Sequence, residues 1–112
     1  MSEGRGELAA RLVVGLAGPR LHDAERAWLV RWRPAGVILF SRNVTGADLL
    51  RDLVRDVRAA LAPGAEICVD HEGGPVSFLQ AAAGRPPAAR TLGDLDDTDL
   101  TRRVHRETGS RL

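Results

Sequence analysis

The sequence has no lysine; all 16 of its basic residues are arginine. That absence excludes a phosphate-loop lysine, a Schiff-base lysine and a lysine general base from these residues. Arginine in place of lysine, beside abundant alanine, reads as a GC-rich coding bias. Cysteine is nearly absent as well. The single Cys68 forms no internal disulfide and no zinc cluster, and between Ile67 and Val69 it reads as a small buried apolar residue. An excess of charge is lacking too. A formal net charge of +1 argues against a nucleic-acid partner, which calls for a strongly basic face. No stretch approaches the roughly 20 apolar residues of a membrane span. The opening residues, Met1 to Glu7, lack the apolar core of a signal peptide. The expectation is a cytoplasmic, reducing location with no membrane partner.

What is present is the composition of a soluble globular protein: 44% hydrophobic and 28% charged residues over 112 positions. Leu12–Leu16 is a β-branched apolar run closed by Gly18-Pro19, which predicts a buried strand. A helix is expected over Asp23–Arg33, capped by His22 or Asp23, with Glu25 at the positive end of its dipole. Leu21, Ala24, Trp28 and Trp32 share one face of it at helical spacing, so both tryptophans are read as packing against a sheet. Pro34 stops the helix. Gly36–Phe40 is a continuously apolar run, as expected of a parallel strand covered on both faces.

Thr45 with Asp48 resembles a capping box. After it, Leu50, Leu53, Val54, Val57 and Leu61 follow the i, i+3, i+4, i+7 rule, with Asp and Arg residues on the opposite face. Glu66–Val69 is a third strand, followed by a polar turn and a long loop around Gly84-Arg85-Pro86-Pro87. Asp96 or Asp97 then opens a helix with Leu100, Val104 and Thr108 at four-residue steps, running without a stop signal to Leu112. His22 and His105 are read as surface residues. The acidic run Asp94, Asp96, Asp97 and Asp99 is read as helix capping rather than a metal site.

Strands alternating with helices imply right-handed parallel βαβ units. Ligand sites in such folds lie beyond the carboxyl ends of the strands. Two polar clusters fall there. One is Ser41-Arg42-Asn43. Arg42 and Asn43 suit the rim of a pocket, or equally an ion pair and a loop-backbone bond. The other is Asp70-His71-Glu72-Gly73-Gly74, whose glycines permit a sharp turn and a close backbone approach by a ligand. Its carboxylates suit sugar hydroxyls, a metal or a cationic partner, or simply a solvated turn. Two carboxylates and one histidine this close in sequence converge poorly on one ion, so no metal is expected.

Gly36-Val37-Ile38-Leu39-Phe40-Ser41-Arg42-Asn43 and Val69-Asp70-His71-Glu72-Gly73-Gly74, in this order, resemble the amino-terminal domain of family 3 glycoside hydrolases. The similarity is greatest to the β-N-acetylhexosaminidase branch, which trims N-acetylglucosamine from bacterial cell-wall muropeptides. It extends through Leu21, Glu25, Arg85-Pro86-Pro87-Ala88 and Leu92-Gly93. The resemblance implies a retaining glycosidase on a TIM-type (β/α)8 barrel, with no cofactor. It implies that Asp70 binds hydroxyls of an N-acetylglucosamine-type sugar, with Arg42, Asn43, His71 and Glu72 as weaker candidate contacts. Pro75 departs from the arginine that commonly follows the glycine pair. The family's aspartate nucleophile and its histidine in a Lys-His-Phe-Pro-Gly-His-Gly-type loop have no counterpart here, so no catalytic residue is expected.

A complete barrel needs about 250 residues. Residues 1–112 are accordingly expected to be a partial, truncated barrel domain of about three parallel strands, inactive alone. A second reading is a non-catalytic sugar-binding protein, or one half of a split barrel whose remainder is a second chain.

Overall fold

The computed structural model describes residues 2–111. Helix α1 (Ser2–Ala9) leads into strand β1 (Val13–Val14), helix α2 (Asp23–Trp32) and strand β2 (Gly36–Leu39). A short 3-10 turn over Ser41–Asn43 precedes helix α3 (Ala47–Ala60) and strand β3 (Glu66–Val69). Then come strands β4 (His71–Gly73) and β5 (Val76–Ser77), and helices α4 (Gln80–Ala83), α5 (Ala89–Leu95) and α6 (Thr98–Ser110).

Strands β1, β2 and β3 form one parallel sheet in that spatial order, as the alternating pattern predicts. Val14 and Ile67 are both register partners of Val37, and Leu39 pairs with Val69. Successive side chains alternate between faces. This row therefore points one way, and it meets Leu29 of α2 and Leu53, Val57 and Ala60 of α3 in the main core. Gly36 is glycine for a local reason: a Cβ there would run into the Glu66 carbonyl oxygen of the neighbouring strand. On the opposite face, half of Val13 is exposed and Ile38 and Cys68 are half-buried.

Helix α3 matches its periodicity. Leu53, Val57 and Ala60 are buried, and its charged face carries exposed Arg51–Asp48 and Arg55–Asp52 pairs at 3.1 and 3.0 Å. Its N-cap is Gly46 rather than the expected Thr45, and no side chain caps it. Helix α2 ends where expected, with Arg33 in the left-handed region at φ 49° and its N–H on the Leu29 carbonyl. The buried face of α2 is turned by one residue from the expected one. Leu29 is 1% exposed, whereas Trp28 is 39% exposed. Trp28 flanks an open apolar cleft of about 350 Å³ beside β1, shared with Val14, Leu16 and Leu29. Trp32 is half-buried, with the Arg31 guanidinium 5.0 Å from its ring centroid.

Five elements, α1, β4, β5, α4 and α5, have no counterpart in the sequence expectation. Helix α1 forms despite Gly4 and Gly6, which lower helix propensity. The β4–β5 hairpin and helix α5 replace what reads as turn and loop. Helix α6 is capped by Asp97, whose Oδ1 accepts from the Leu100 N–H at 2.9 Å, as predicted. It ends at Ser110 rather than at Leu112, which lies outside the described residues. The Asp run behaves as capping and surface pairing, with Asp99 on Arg102 at 2.8 Å. Among the described residues no helix is long and apolar enough to cross a membrane.

The sheet does not close on itself. The chain exposes 7543 Å², against about 6000 Å² for a closed monomer of its mass. Its radius of gyration is 16.5 Å, against about 13 Å for a compact domain of this length. Both edge strands, β1 and β3, lack an outer neighbour among the described residues.

The core assignment is tested by truncation. Leu29→Ala is expected to cost about 2–5 kcal/mol in chemical denaturation, and Trp28→Ala clearly less. A larger loss at Trp28 would reverse the assigned face.

Candidate functional site

The carboxyl ends of β1 and β2 are brought together by one buried side chain. Asn43, with 0% exposure, lies in the 3-10 turn after β2. Its Oδ1 accepts from the Phe40 N–H at 2.8 Å. Its Nδ2 donates to the carbonyls of Leu16 and Gly18, at 3.2 and 2.8 Å. The amide thus ties the loop after β2 to the loop after β1, and both its donors are spent. Of the two readings the sequence allows for Asn43, the structure favours the loop tie over a ligand contact.

Arg42 extends the same junction. Its Nε donates to the Leu16 carbonyl at 2.8 Å, and its guanidinium stacks 4.7 Å from the Phe40 ring centroid. The expected alternative, an ion pair with a neighbouring carboxylate, is not found among the described residues. Gly15 leaves room for this arrangement, since a Cβ there would lie 3.0 Å from Arg42 Nη2. Arg42 is exposed, and its terminal N–H groups have no protein acceptor among the described residues. On the other side of β1, Glu25 accepts from the N–H groups of Ala17 and His22 at 2.9 and 3.0 Å, which anchors the loop into α2.

Asp70 follows β3 directly and is exposed. Its side chain makes no hydrogen bond or ion pair among the described residues, while its main-chain carbonyl accepts from the Phe78 N–H at 3.2 Å. The Phe78 ring packs 5.8 Å from Phe40 at 52°. The two polar loops are therefore joined through an aromatic pair, with Arg42 on one ring and Asp70 bonded to the residue that bears the other. This pair was not visible as a site feature in the sequence, because its members come from distant segments. His71 is half-buried and Glu72 exposed. His71 Nδ1 accepts from the Leu79 N–H at 3.3 Å.

The glycine pair has a different purpose from the one expected. Gly73 and Gly74 do adopt positive φ, 85° and 56°. The close neighbour, however, is the chain itself. A Cβ on Gly73 would meet the Pro87 carbonyl, and one on Gly74 would lie 2.7 Å from the Ala88 Cβ. The Gly74 N–H donates to the Pro86 carbonyl at 2.9 Å. The Pro86–Ala88 segment thus occupies the space that glycine leaves open, and no room remains there for a ligand. Pro75 sits in the turn between β4 and β5, where Ser77 Oγ bonds the Gly74 carbonyl at 3.0 Å.

Among the described residues no cluster of His, Cys, Asp or Glu is placed to hold a metal. The cleft beside Trp28 is apolar and does not coincide with the polar rim. A parallel βα array with an acidic and basic rim at the carboxyl ends of its strands has the layout of a barrel enzyme's ligand face.

Comparison with known proteins makes that class specific. No protein-family model matches the chain. A β-hexosaminidase of Idiomarina loihiensis is 33% identical over 100 residues, covering 89% of this chain and 30% of the relative. One from Chromobacterium violaceum is 42% identical over 88 residues, covering 79% of this chain and 25% of the relative. The structure of NagZ from Neisseria gonorrhoeae in complex with N-trifluoroacetyl-D-glucosamine superposes with a TM-score of 0.72 at 32% identity, over 85% of this chain and 28% of that one. A family 3 β-N-acetylglucosaminidase from Paenibacillus shares the fold, with a TM-score of 0.85 at 23% identity over 96% of this chain and 21% of that one. The chain is thus similar, over most of its length, to part of β-hexosaminidases and of NagZ, and it shares the fold of part of a family 3 glycoside hydrolase. It spans 30% or less of the length of the curated relatives it matches here.

Asn43→Ala removes three hydrogen bonds and strands the Phe40 N–H and the Gly18 carbonyl, while the Leu16 carbonyl keeps its bond from Arg42 Nε. At about 1 kcal/mol per bond, a loss near 3 kcal/mol is expected in denaturant titration. A change within error would show that the loop tie is not needed.

Proposed function

We propose that these residues form the sugar-holding part of a retaining β-N-acetylhexosaminidase. Its substrate would be a terminal β-linked N-acetylglucosamine, as found in cell-wall muropeptides. The observation that carries this is Asp70. Its carboxylate is exposed and unpartnered at the carboxyl end of β3, within an Asp-x-Glu-Gly-Gly motif shared with the family. A carboxylate with open lone pairs is the natural acceptor for the paired hydroxyls of a sugar ring. A relative's structure with a glucosamine derivative bound supports the same ligand class.

The roles of the other residues follow from their partners. Arg42, held by the Leu16 carbonyl and the Phe40 ring, offers its terminal N–H groups at the same rim. Glu72 and the hairpin border it. Asn43 and His71 shape the rim from behind. Retaining hydrolysis requires a nucleophile and an acid/base group flanking the scissile bond. Asp70 and Glu72 do not make that pair on this reading, because Asp70 is engaged with the sugar. The two catalytic groups come from elsewhere in the barrel, and glycosidic hydrolysis by such a pair calls for no cofactor.

A second reading is favoured by one observation, the open sheet. Unpaired edges at β1 and β3 invite another strand. The remainder of the barrel, as a second chain, would satisfy both edges and make this protein a sugar-binding half of a split enzyme. Size-exclusion chromatography separates the readings, since a stable closed assembly supports the split enzyme and an associating, poorly packed chain does not.

Calorimetric titration with N-acetylglucosamine tests the site. Wild type is expected to bind saturably. Asp70→Ala is expected to weaken binding by about 10–100-fold, the worth of hydrogen bonds to a charged group, with its thermal unfolding unchanged. The 112-residue chain is expected not to cleave a chromogenic N-acetylglucosaminide. Equal affinity in wild type and variant would remove Asp70 from the site.

A further inference from the structure

We propose that His71 is a positioning residue that clasps the Asp70 loop to the Phe40–Arg42 loop, and that it acts through Nδ1 alone. The functional consequence rests on the sugar-binding reading of Asp70; the clasp itself does not. Strands β4 and β5 pair His71 with Ser77 and Gly73 with Val76. Beyond Ser77 the hairpin is closed by two consecutive amides. The Phe78 N–H reaches the Asp70 carbonyl at 3.2 Å. The next, the Leu79 N–H, finds an imidazole instead of a carbonyl and donates to His71 Nδ1 at 3.3 Å.

Leu79 is 4% exposed and packs with Val44 and Ala83 in a second small core. It also leads into α4, and the amides of Ala82 and Ala83 already use its carbonyl. A buried N–H at that position needs an acceptor or costs stability. His71 supplies it. A nitrogen that accepts carries no proton, so the ring hydrogen is on Nε2. Nε2 is buried and has no partner among the described residues. The ring therefore uses one nitrogen and leaves the other idle, at a desolvation cost. What this position requires is an acceptor at the place of Nδ1.

The clasp has a consequence at the rim. Phe78 is held between the Asp70 bond on one side and the Leu79 bond on the other. Its ring is the contact for Phe40, which carries Arg42. Releasing Leu79 frees Phe78, and with it the coupling between Asp70 and Arg42.

Amide hydrogen exchange and N-acetylglucosamine titration, both followed by NMR on the whole chain, test the proposal with two variants. His71→Leu fills the space without an acceptor, while His71→Asn puts an oxygen where Nδ1 was. In His71→Leu the Leu79 amide is expected to exchange at least about 10-fold faster, corresponding to about 1.4 kcal/mol of lost protection, and N-acetylglucosamine affinity to fall by a similar factor. His71→Asn is expected to keep both within about 3-fold of wild type. Unchanged Leu79 protection in His71→Leu, or equal loss in both variants, overturns the clasp. Should His71→Leu fail to fold, long-range nitrogen–proton correlation on wild type decides: a proton on Nε2 supports the clasp, and a proton on Nδ1 overturns it. If wild type binds no N-acetylglucosamine, the sugar reading fails, and the exchange and tautomer results alone judge His71.

Discussion

The Asn43 carboxamide is the constraint on which the rest of the site depends. Parallel strands share no hairpin, so nothing local holds the loop after one strand to the loop after the next. Asn43 does so with two hydrogen bonds to the loop after β1, and with a third that holds its own turn, from a side chain of 0% exposure. Inside a protein such a bridge is strong when fully satisfied and costly when broken. Arg42 shares the Leu16 carbonyl with it and is thereby laid over Phe40. Phe40 in turn receives Phe78 from the hairpin. The rim that includes Asp70 is thus assembled outward from one buried amide.

The parts of this structure that were readable in the sequence are those fixed by short-range periodicity. Val37 and Leu39 lie in a continuous apolar run, which marks a strand but not which of its faces is buried, whereas Leu53 and Val57 repeat at helical spacing, which does state the buried face. Asp97 before Leu100 carries its own capping signal. Other features depend on partners far away in the chain. Asn43 could bond its own loop or a ligand, and only the position of Leu16 and Gly18 separates the two. The positive φ of Gly73 and Gly74 was inferable from residue type, but the neighbour that requires glycine is Pro86–Ala88 rather than a ligand. Trp28 misled because its size dominates a helical face, whereas the sheet is met by Leu29. The hairpin was missed because His71-Glu72-Gly73-Gly74-Pro75 has the composition of a turn.

Helices α2 and α3 cover one face of the sheet and leave Val13 half exposed on the other. The chain exposes about 1500 Å² more than a closed monomer of its mass. The family resemblance and the solved relatives give the same picture, with matching regions that make up less than a third of each relative. A rim with an unpartnered carboxylate but no assigned catalytic pair is what one side of such a barrel would look like. Under the proposed function the chemistry would be divided: this part would hold the sugar, and groups on other strands would cleave the bond.

The most direct test of that division is a map of where N-acetylglucosamine touches the chain. Two-dimensional NMR titration would read it residue by residue. The account predicts saturable shifts concentrated at Phe40, Arg42, Asp70 and Phe78. No shifts at all, or shifts confined to the apolar cleft at Val14 and Trp28, would contradict it.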